Sequence, residues 1–229
     1  SEEERLFYEA LRRSALERIS SVGGQGPGDV RFQVLAEIMR LRRACFHPRL
    51  VVPGSPIASA KLQAFAEIVT ELRENRHKAL VFSQFVDHLA LVREWLDGEK
   101  IPYQYLDGST PVKRRQEAVA AFQAGRGDLF LISLKAGGAG LNLTAADYVI
   151  HLDPWWNPAV EDQASDRAHR IGQQRPVTIY RLVARNTIED MIIDLHRHKR
   201  DLADSLLEGA EMAARMGVEE MMALLKEAG

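Results

Sequence analysis

A single cysteine, Cys45, stands in a chain of 229 residues, so no internal disulfide can form and a reducing compartment is indicated. No apolar run approaches the ~20 residues that a membrane helix needs, and the opening Ser1-Glu2-Glu3-Glu4 is no secretory leader. A cytoplasmic protein is the expectation. Basic excess is missing too. Against 32 Asp and Glu there are 30 Lys and Arg, a net charge of −2, so any nucleic-acid contact must come from a local patch. No glycine is followed by lysine, which excludes a Walker A loop, Gly-x-x-x-x-Gly-Lys-Ser/Thr. No Asp-Glu pair closes a strand to hold magnesium, and no Gly-x-Gly-x-x-Gly opens a helix as a dinucleotide fingerprint would. Cys45 and His47 lack the further ligands that a four-coordinate metal site requires.

What is present is ordinary globular material, 46% hydrophobic and 27% charged, enough for one sizeable core. Leu6, Phe7, Ala10, Leu11, Leu16 and Ile19 recur at helical spacing, and Val34 to Cys45 resumes that pattern after a glycine-rich break at 23–28. Pro53-Gly54-Ser55-Pro56 reads as a linker. These signals mark a helical appendage over residues 1–58, a main domain over 59–200 and a helical extension over 201–229. The abrupt start within a helical pattern suggests a piece of a longer protein.

From Ser59 helices and strands alternate. Apolar strands are expected at Ala79–Phe82, Tyr103–Leu106, Leu129–Leu134, Tyr148–Leu152 and Val177–Val183, with helical patterns between them. Strands of this kind joined by helices predict an α/β fold, a parallel sheet covered on both faces. Thr110 is placed to cap a helix opening at Pro111, and Thr187-Ile188-Glu189-Asp190 to open a last long helix running past Leu202 and Leu206. Gln163, Arg167 and Arg170 fall at i, i+4 and i+7, lining one helix face beside two strand ends.

Several residues admit two readings from sequence. Arg167 and Arg170 suit a phosphate whose charge grows during transfer, or else a solvated face with an Asp166–Arg170 pair. Lys113, Arg114 and Arg115 form a phosphate-binding stripe or the wet side of a helix. Trp155 and Trp156 are core aromatics or nucleic-acid contacts. The loop Gly137-Gly138-Ala139-Gly140 brings backbone close to a ligand or simply turns. His196 and His198, at i and i+2, do not share a face and read as solvated.

Five segments occur in order: Ser83-Gln84-Phe85; Leu106-Asp107-Gly108-Ser109-Thr110; Ser133 to Thr144; Asp153-Pro154-Trp155-Trp156-Asn157-Pro158; and Gln163 to Gln173, which ends Arg-Ile-Gly-Gln. Together they resemble motifs IV to VI of the second lobe of superfamily 2 helicases. The last two segments are similar, more narrowly, to the Swi/Snf type, the ATP-dependent double-stranded-DNA translocases that include chromatin remodellers and bacterial relatives. The resemblance covers about residues 59–200 and implies a RecA-like lobe with an N-terminal helical appendage and a long C-terminal helix. It implies arginine fingers at Arg167 and Arg170 supported by Gln163. It also implies nucleotide contact and coupling at Gly138, Gly140 and Asn142, and DNA contacts from Ser83, Gln84, Gly108, Ser109, Ser133, Lys135 and Trp156. ATP and Mg2+ would be held mainly by a first RecA-like lobe of the same polypeptide, without which this chain is expected to be inactive. Double-stranded DNA, with a protein cargo on it, would be the partner in a nucleoid-associated setting. The alternative is a binding or docking module that keeps the fold without the chemistry.

Overall fold

The computed structural model describes residues 1–21, 26–136, 141–200 and 216–227. Two compact units emerge, both discontinuous in sequence, where linker signals mark boundaries at 58 and 200. One is Ser1–Lys61, Pro154–Asn157 and Val183–Gly229; the other is Leu62–Asp153 and Pro158–Leu182.

The second unit is the α/β layer. Strands β1 (Ala79–Ser83), β2 (Tyr103–Leu106), β3 (Leu129–Ser133), β4 (Tyr148–His151) and β5 (Thr178–Arg181) form one sheet in the order β2-β3-β1-β4-β5. All four pairings are parallel, so every strand ends on the same edge. β1 and β3 are buried throughout, as their unbroken apolar runs require; β5, at the sheet's edge, carries the polar Thr178, Tyr180 and Arg181 and is half-exposed. Helices α3 (Ala60–Glu74), α4 (Val86–Gly98), α5 (Val112–Gln123) and α6 (Pro158–Ser165) accompany the strands. Phe65, Val69 and Leu72 of α3 recur at i, i+4 and i+7 and are buried, Phe65 edge-on to Trp95 of α4. Phe82, Phe122, Phe130, Ile132 and Val149 fill a core with Ala164 of α6. Gly127 is forced: its φ is +94°, and an added Cβ would meet the Tyr103 backbone at 3.3 Å.

α5 begins one residue later than its capping signal predicts. Pro111 is the N-cap, and the Thr110 hydroxyl instead accepts the Asp107 N–H at 2.9 Å, closing a turn rather than capping a helix.

The other unit is helical, with α1 (Glu2–Ser21), α2 (Pro27–Phe46), α7 (Ile188–Arg200) and α8 (Val218–Glu227). The inward face of α1 is carried by Tyr8, Ala15 and Ile19, while Leu6 lies exposed; the Tyr8 hydroxyl accepts the Ile188 N–H at 2.8 Å. Val34, Ile38 and Leu41 of α2 pack with Ile192 of α7 and Met221 and Leu224 of α8. The Thr187 hydroxyl accepts the Glu189 N–H at 3.1 Å and Asp190 accepts from the Asn186 N–H, a capping arrangement at the start of α7. Lys61 donates to both Glu189 oxygens, at 2.6 and 2.7 Å, in a fully buried pair that the Ala184 N–H completes. Leu202 and Leu206 lie outside the described residues. Among the described residues no helix is long and apolar enough to cross a membrane.

Candidate functional site

Four loops gather on the sheet's carboxyl edge because the strands are parallel: 83–85 after β1, 107–110 after β2, 134–136 after β3 and Leu152-Asp153 after β4. Gly108, Ser109 and Lys135 are exposed there. Asp107 organises the second loop. Its carboxylate accepts from the Ser109 hydroxyl (2.6 Å) and N–H (2.8 Å) and from the Tyr105 hydroxyl (2.7 Å); these bonds, led by the Ser109 hydroxyl, hold its pKa down to about 2. Arg115 then joins two loops. Its guanidinium donates to the Thr110, Asp107 and Gly108 carbonyls and, at 3.0 Å, to the Ala136 carbonyl beyond β3. Lys113 and Arg114 remain exposed on the same helix.

Ser83 and Ser133 stand on this edge but are buried. The Ser83 hydroxyl donates to the Asp153 carboxylate and accepts the Phe85 N–H at 3.0 Å, with His88 Nδ1 3.2 Å away. Asp153 also faces the Gln84 N–H at 3.4 Å, so the β1 and β4 loops share one buried carboxylate. Ser83 therefore shapes the edge from within, half-buried Gln84 keeps its amide nitrogen out of solvent, and exposed Lys135 faces outward. From sequence, Arg115 reads only as part of a basic stripe with Lys113 and Arg114, and Asp107 and Asp153 only as members of motif segments with no role of their own; the structure makes all three the groups that hold this edge together. Asp107 and Asp153 each close an apolar strand run, and that position was the available signal.

The arginines lie elsewhere than sequence spacing placed them. α6 ends at Ser165, and Arg167 and Arg170 follow it in a tight turn rather than sharing a helix face with the exposed Gln163. The turn is closed by i+3 bonds from Arg167 N–H to the Ala164 carbonyl (3.2 Å) and from Ala168 N–H to the Ser165 carbonyl (3.1 Å). Helix propagation fails because outside groups take the next carbonyls: Leu143 N–H donates to Arg167 O at 3.1 Å, and Gln173 Nε2 donates to Ala168 O at 3.1 Å. Gln173 also reaches the Thr144 and Ala146 carbonyls, so the turn packs on the segment leading into β4, not on the strand ends. Gly172, at φ +104°, makes the reversal.

Arg167 is 9% exposed, and burial, then the neighbouring Arg170 charge, pulls its guanidinium below the usual value. Arg170 is exposed and donates to the Leu141 carbonyl at 3.3 Å. Asn142 is exposed between two residues, Leu141 and Leu143, whose backbones bind the arginine turn. Gly138 and Gly140 lie outside the described residues. No group of three or more His, Cys, Asp or Glu side chains placed to share a metal ion occurs among the described residues.

Trp156 belongs to the helical unit. It is 6% exposed, packed in that unit's core with the Arg42 guanidinium 5.2 Å above its ring, and Arg42 donates to the Pro154 carbonyl at 2.6 Å. This is the core-aromatic reading that sequence left open. His196, expected in solvent, is 4% exposed and bonds the Trp155 carbonyl, because α7 turns it into the unit's interior.

A parallel sheet with strand-end loops on one edge and an arginine turn after its fourth strand defines a class, the C-terminal lobes of helicases. Residues 60–172 match the helicase conserved C-terminal domain. A Mycoplasma pneumoniae protein named as an uncharacterized ATP-dependent helicase is 38% identical over 222 residues, 96% of this chain but 21% of the relative. The Sulfolobus solfataricus SWI2/SNF2 ATPase C-terminal domain superposes with a TM-score of 0.77 at 28% identity, covering 99% of this chain and 94% of that one. The Sulfolobus solfataricus SWI2/SNF2 ATPase core in complex with dsDNA gives 0.79 at 30% identity, covering 99% of this chain and 47% of that one. The chain belongs to the Swi/Snf-type helicase C-terminal family, with a RecA-like lobe, and spans about a fifth of the first of these relatives.

Proposed function

We propose that this chain is the second motor lobe of an ATP-dependent double-stranded-DNA translocase, in which Arg167 and Arg170 act as arginine fingers. The observation that carries the reading is the pair itself. Two guanidiniums, buried Arg167 and exposed Arg170, are held in one turn, where a single incoming anion can meet both. A γ-phosphoryl group in transfer is such an anion, and stabilising its spreading charge is what arginine fingers do. Gln163, exposed on α6, supports the arginines, and ATP itself, with Mg2+, is held mainly by a first lobe elsewhere in the full-length protein.

The carboxyl edge serves the duplex. Gly108 and Lys135 offer a backbone N–H and an ammonium, which suit phosphates of any sequence; Gln84, whose amide nitrogen is buried, and Ser109, whose hydroxyl and N–H both donate to Asp107, join them once those groups turn outward. Ser83 and Ser133 act from beneath as supports. Lys135 stands on this edge and Asn142 lies between the backbone groups that bind the arginine turn; Gly138 and Gly140, between them in sequence, couple DNA to nucleotide. Two relatives support the reading: the Sulfolobus ATPase core is in complex with dsDNA, and the Mycoplasma helicase is named as ATP-dependent.

The test is ATP hydrolysis by the full-length protein with and without duplex DNA, alongside this chain alone and Arg170→Ala in the full-length protein. Duplex-stimulated turnover in the full-length protein, none in the chain, and its loss in Arg170→Ala with duplex binding kept are expected. Near-normal turnover in Arg170→Ala would remove the finger assignment. DNA binding without hydrolysis in the full-length protein would make this a binding module.

A further inference from the structure

Two polar contacts pin α6 to the sheet. Glu161, 1% exposed, is paired with the Arg181 guanidinium of β5, and four residues on, Ser165 has its Oγ 3.0 Å from His151 Nε2 of β4. Positions i and i+4 share one face of a helix, and His151 and Arg181 are register partners across the β4–β5 pairing. One rung of the sheet therefore grips two successive turns of α6.

The chemistry makes both grips hard to release. Parting a carboxylate as buried as Glu161 from its guanidinium removes a short-range ion pair inside the protein, where such a loss is costly. His151 is 1% exposed and stacked on Phe82; burial, then the Arg181 charge, lowers its pKa to about 4, so the ring is neutral at physiological pH. Its Nδ1 is buried with no hydrogen-bond partner among the described residues. A buried orphan N–H is rarer than a buried orphan acceptor, which assigns the proton to Nε2, donating to Ser165.

Ser165 is also where the arginine turn begins. Its carbonyl accepts the N–H groups of Ala168 (3.1 Å) and His169 (3.3 Å) on the path from Arg167 to Arg170. We infer that Glu161–Arg181 and Ser165–His151 form a two-point clamp whose function is to place Arg167 and Arg170, making these four the positioning residues of the arginine turn. The inference rests on the proposed function, in which those arginines meet the transferring phosphate.

Full-length protein carrying Ser165→Ala or Arg181→Lys is compared with wild type for duplex-stimulated kcat, KM for ATP and duplex affinity. Each is then combined with Arg170→Lys, chosen to keep a charge and a measurable rate. Loss of one hydrogen bond predicts a fall in kcat of about fivefold to tenfold, with KM and duplex affinity within about twofold. Added to Arg170→Lys, neither substitution lowers kcat further, because residues acting through one group are not additive. Unchanged kcat in both single variants overturns the clamp, as do losses that multiply with that of Arg170→Lys, which mark general destabilisation. Normal turnover in Arg170→Lys and Arg170→Ala alike overturns the finger reading itself and is distinguishable from either result.

Discussion

The carboxyl edge of the sheet and the arginine turn are built in opposite ways. On the edge, inner groups hold outer ones: half-buried Asp107 and Arg115 fix the loop bearing exposed Gly108 and Ser109, and buried Asp153 fixes the loop bearing half-buried Gln84. In the turn a charged group is itself drawn inward, Arg167 being buried, while exposed Arg170 is bonded to a backbone carbonyl. An edge of exposed single contacts suits a polymer that must be gripped and released, each contact being weak and replaceable. A turn with one guanidinium already desolvated suits a single anion met in one geometry, where preorganisation counts most. The two regions should therefore fail differently.

The largest effect is expected in the turn. Arg167→Ala in the full-length protein should lower duplex-stimulated kcat by about a thousandfold, the lower range of an arginine finger's contribution, while duplex affinity stays within about twofold. Steady-state hydrolysis beside a duplex titration at fixed salt checks both. A parallel loss of DNA binding would mean that the turn and the edge are not separate devices.

The pH dependence of stability sharpens the contrast. His151 has its pKa lowered from 6.5 to about 4 in the folded protein. Its contribution is fully present above 6.5 and is lost as pH falls toward 4, where the unfolded chain binds a proton that the folded one refuses. The shift corresponds to about 3 kcal/mol across that window. Asp107 acts lower, losing its contribution as pH falls from 3.8 toward 2. Urea unfolding between pH 7 and 4 should show a steep decline in wild type and a flatter one in His151→Gln, while Asp107→Asn leaves this window unaltered.

Much of the α/β unit was legible in the sequence, and the reason is local. The runs Ala79–Phe82, Tyr103–Leu106, Leu129–Leu134 and Tyr148–Leu152 are apolar and short, and their parallel pairing follows from the helices between them. The arginine turn was misplaced because periodicity at 163, 167 and 170 continues a helical pattern with no glycine before Gly172 to stop it. What stops it is Leu143, whose N–H takes a carbonyl twenty-four residues along the chain. Nothing in a window of eighteen residues carries that. Trp156 was ambiguous and His196 misplaced for a related reason, since the first is set by Arg42 and the second by the backbone of residue 155, each remote in sequence from the residue it fixes.

The edge offers the smaller, more diagnostic effects. Arg115→Met should weaken duplex binding by about tenfold through the loops it joins, leaving the salt dependence of binding nearly unchanged because its guanidinium is engaged by backbone carbonyls rather than by phosphate. Lys135→Ala should do the reverse. Its ammonium is exposed, so affinity at moderate salt should fall only a few-fold, but the slope of log affinity against log salt should shrink by about one phosphate's worth. Titrations at several salt concentrations separate the two substitutions. A reduced slope in Arg115→Met would make that residue a phosphate ligand rather than a strut. An unchanged slope in Lys135→Ala would take the carboxyl edge away from the duplex backbone and remove the DNA-contact half of the proposed function.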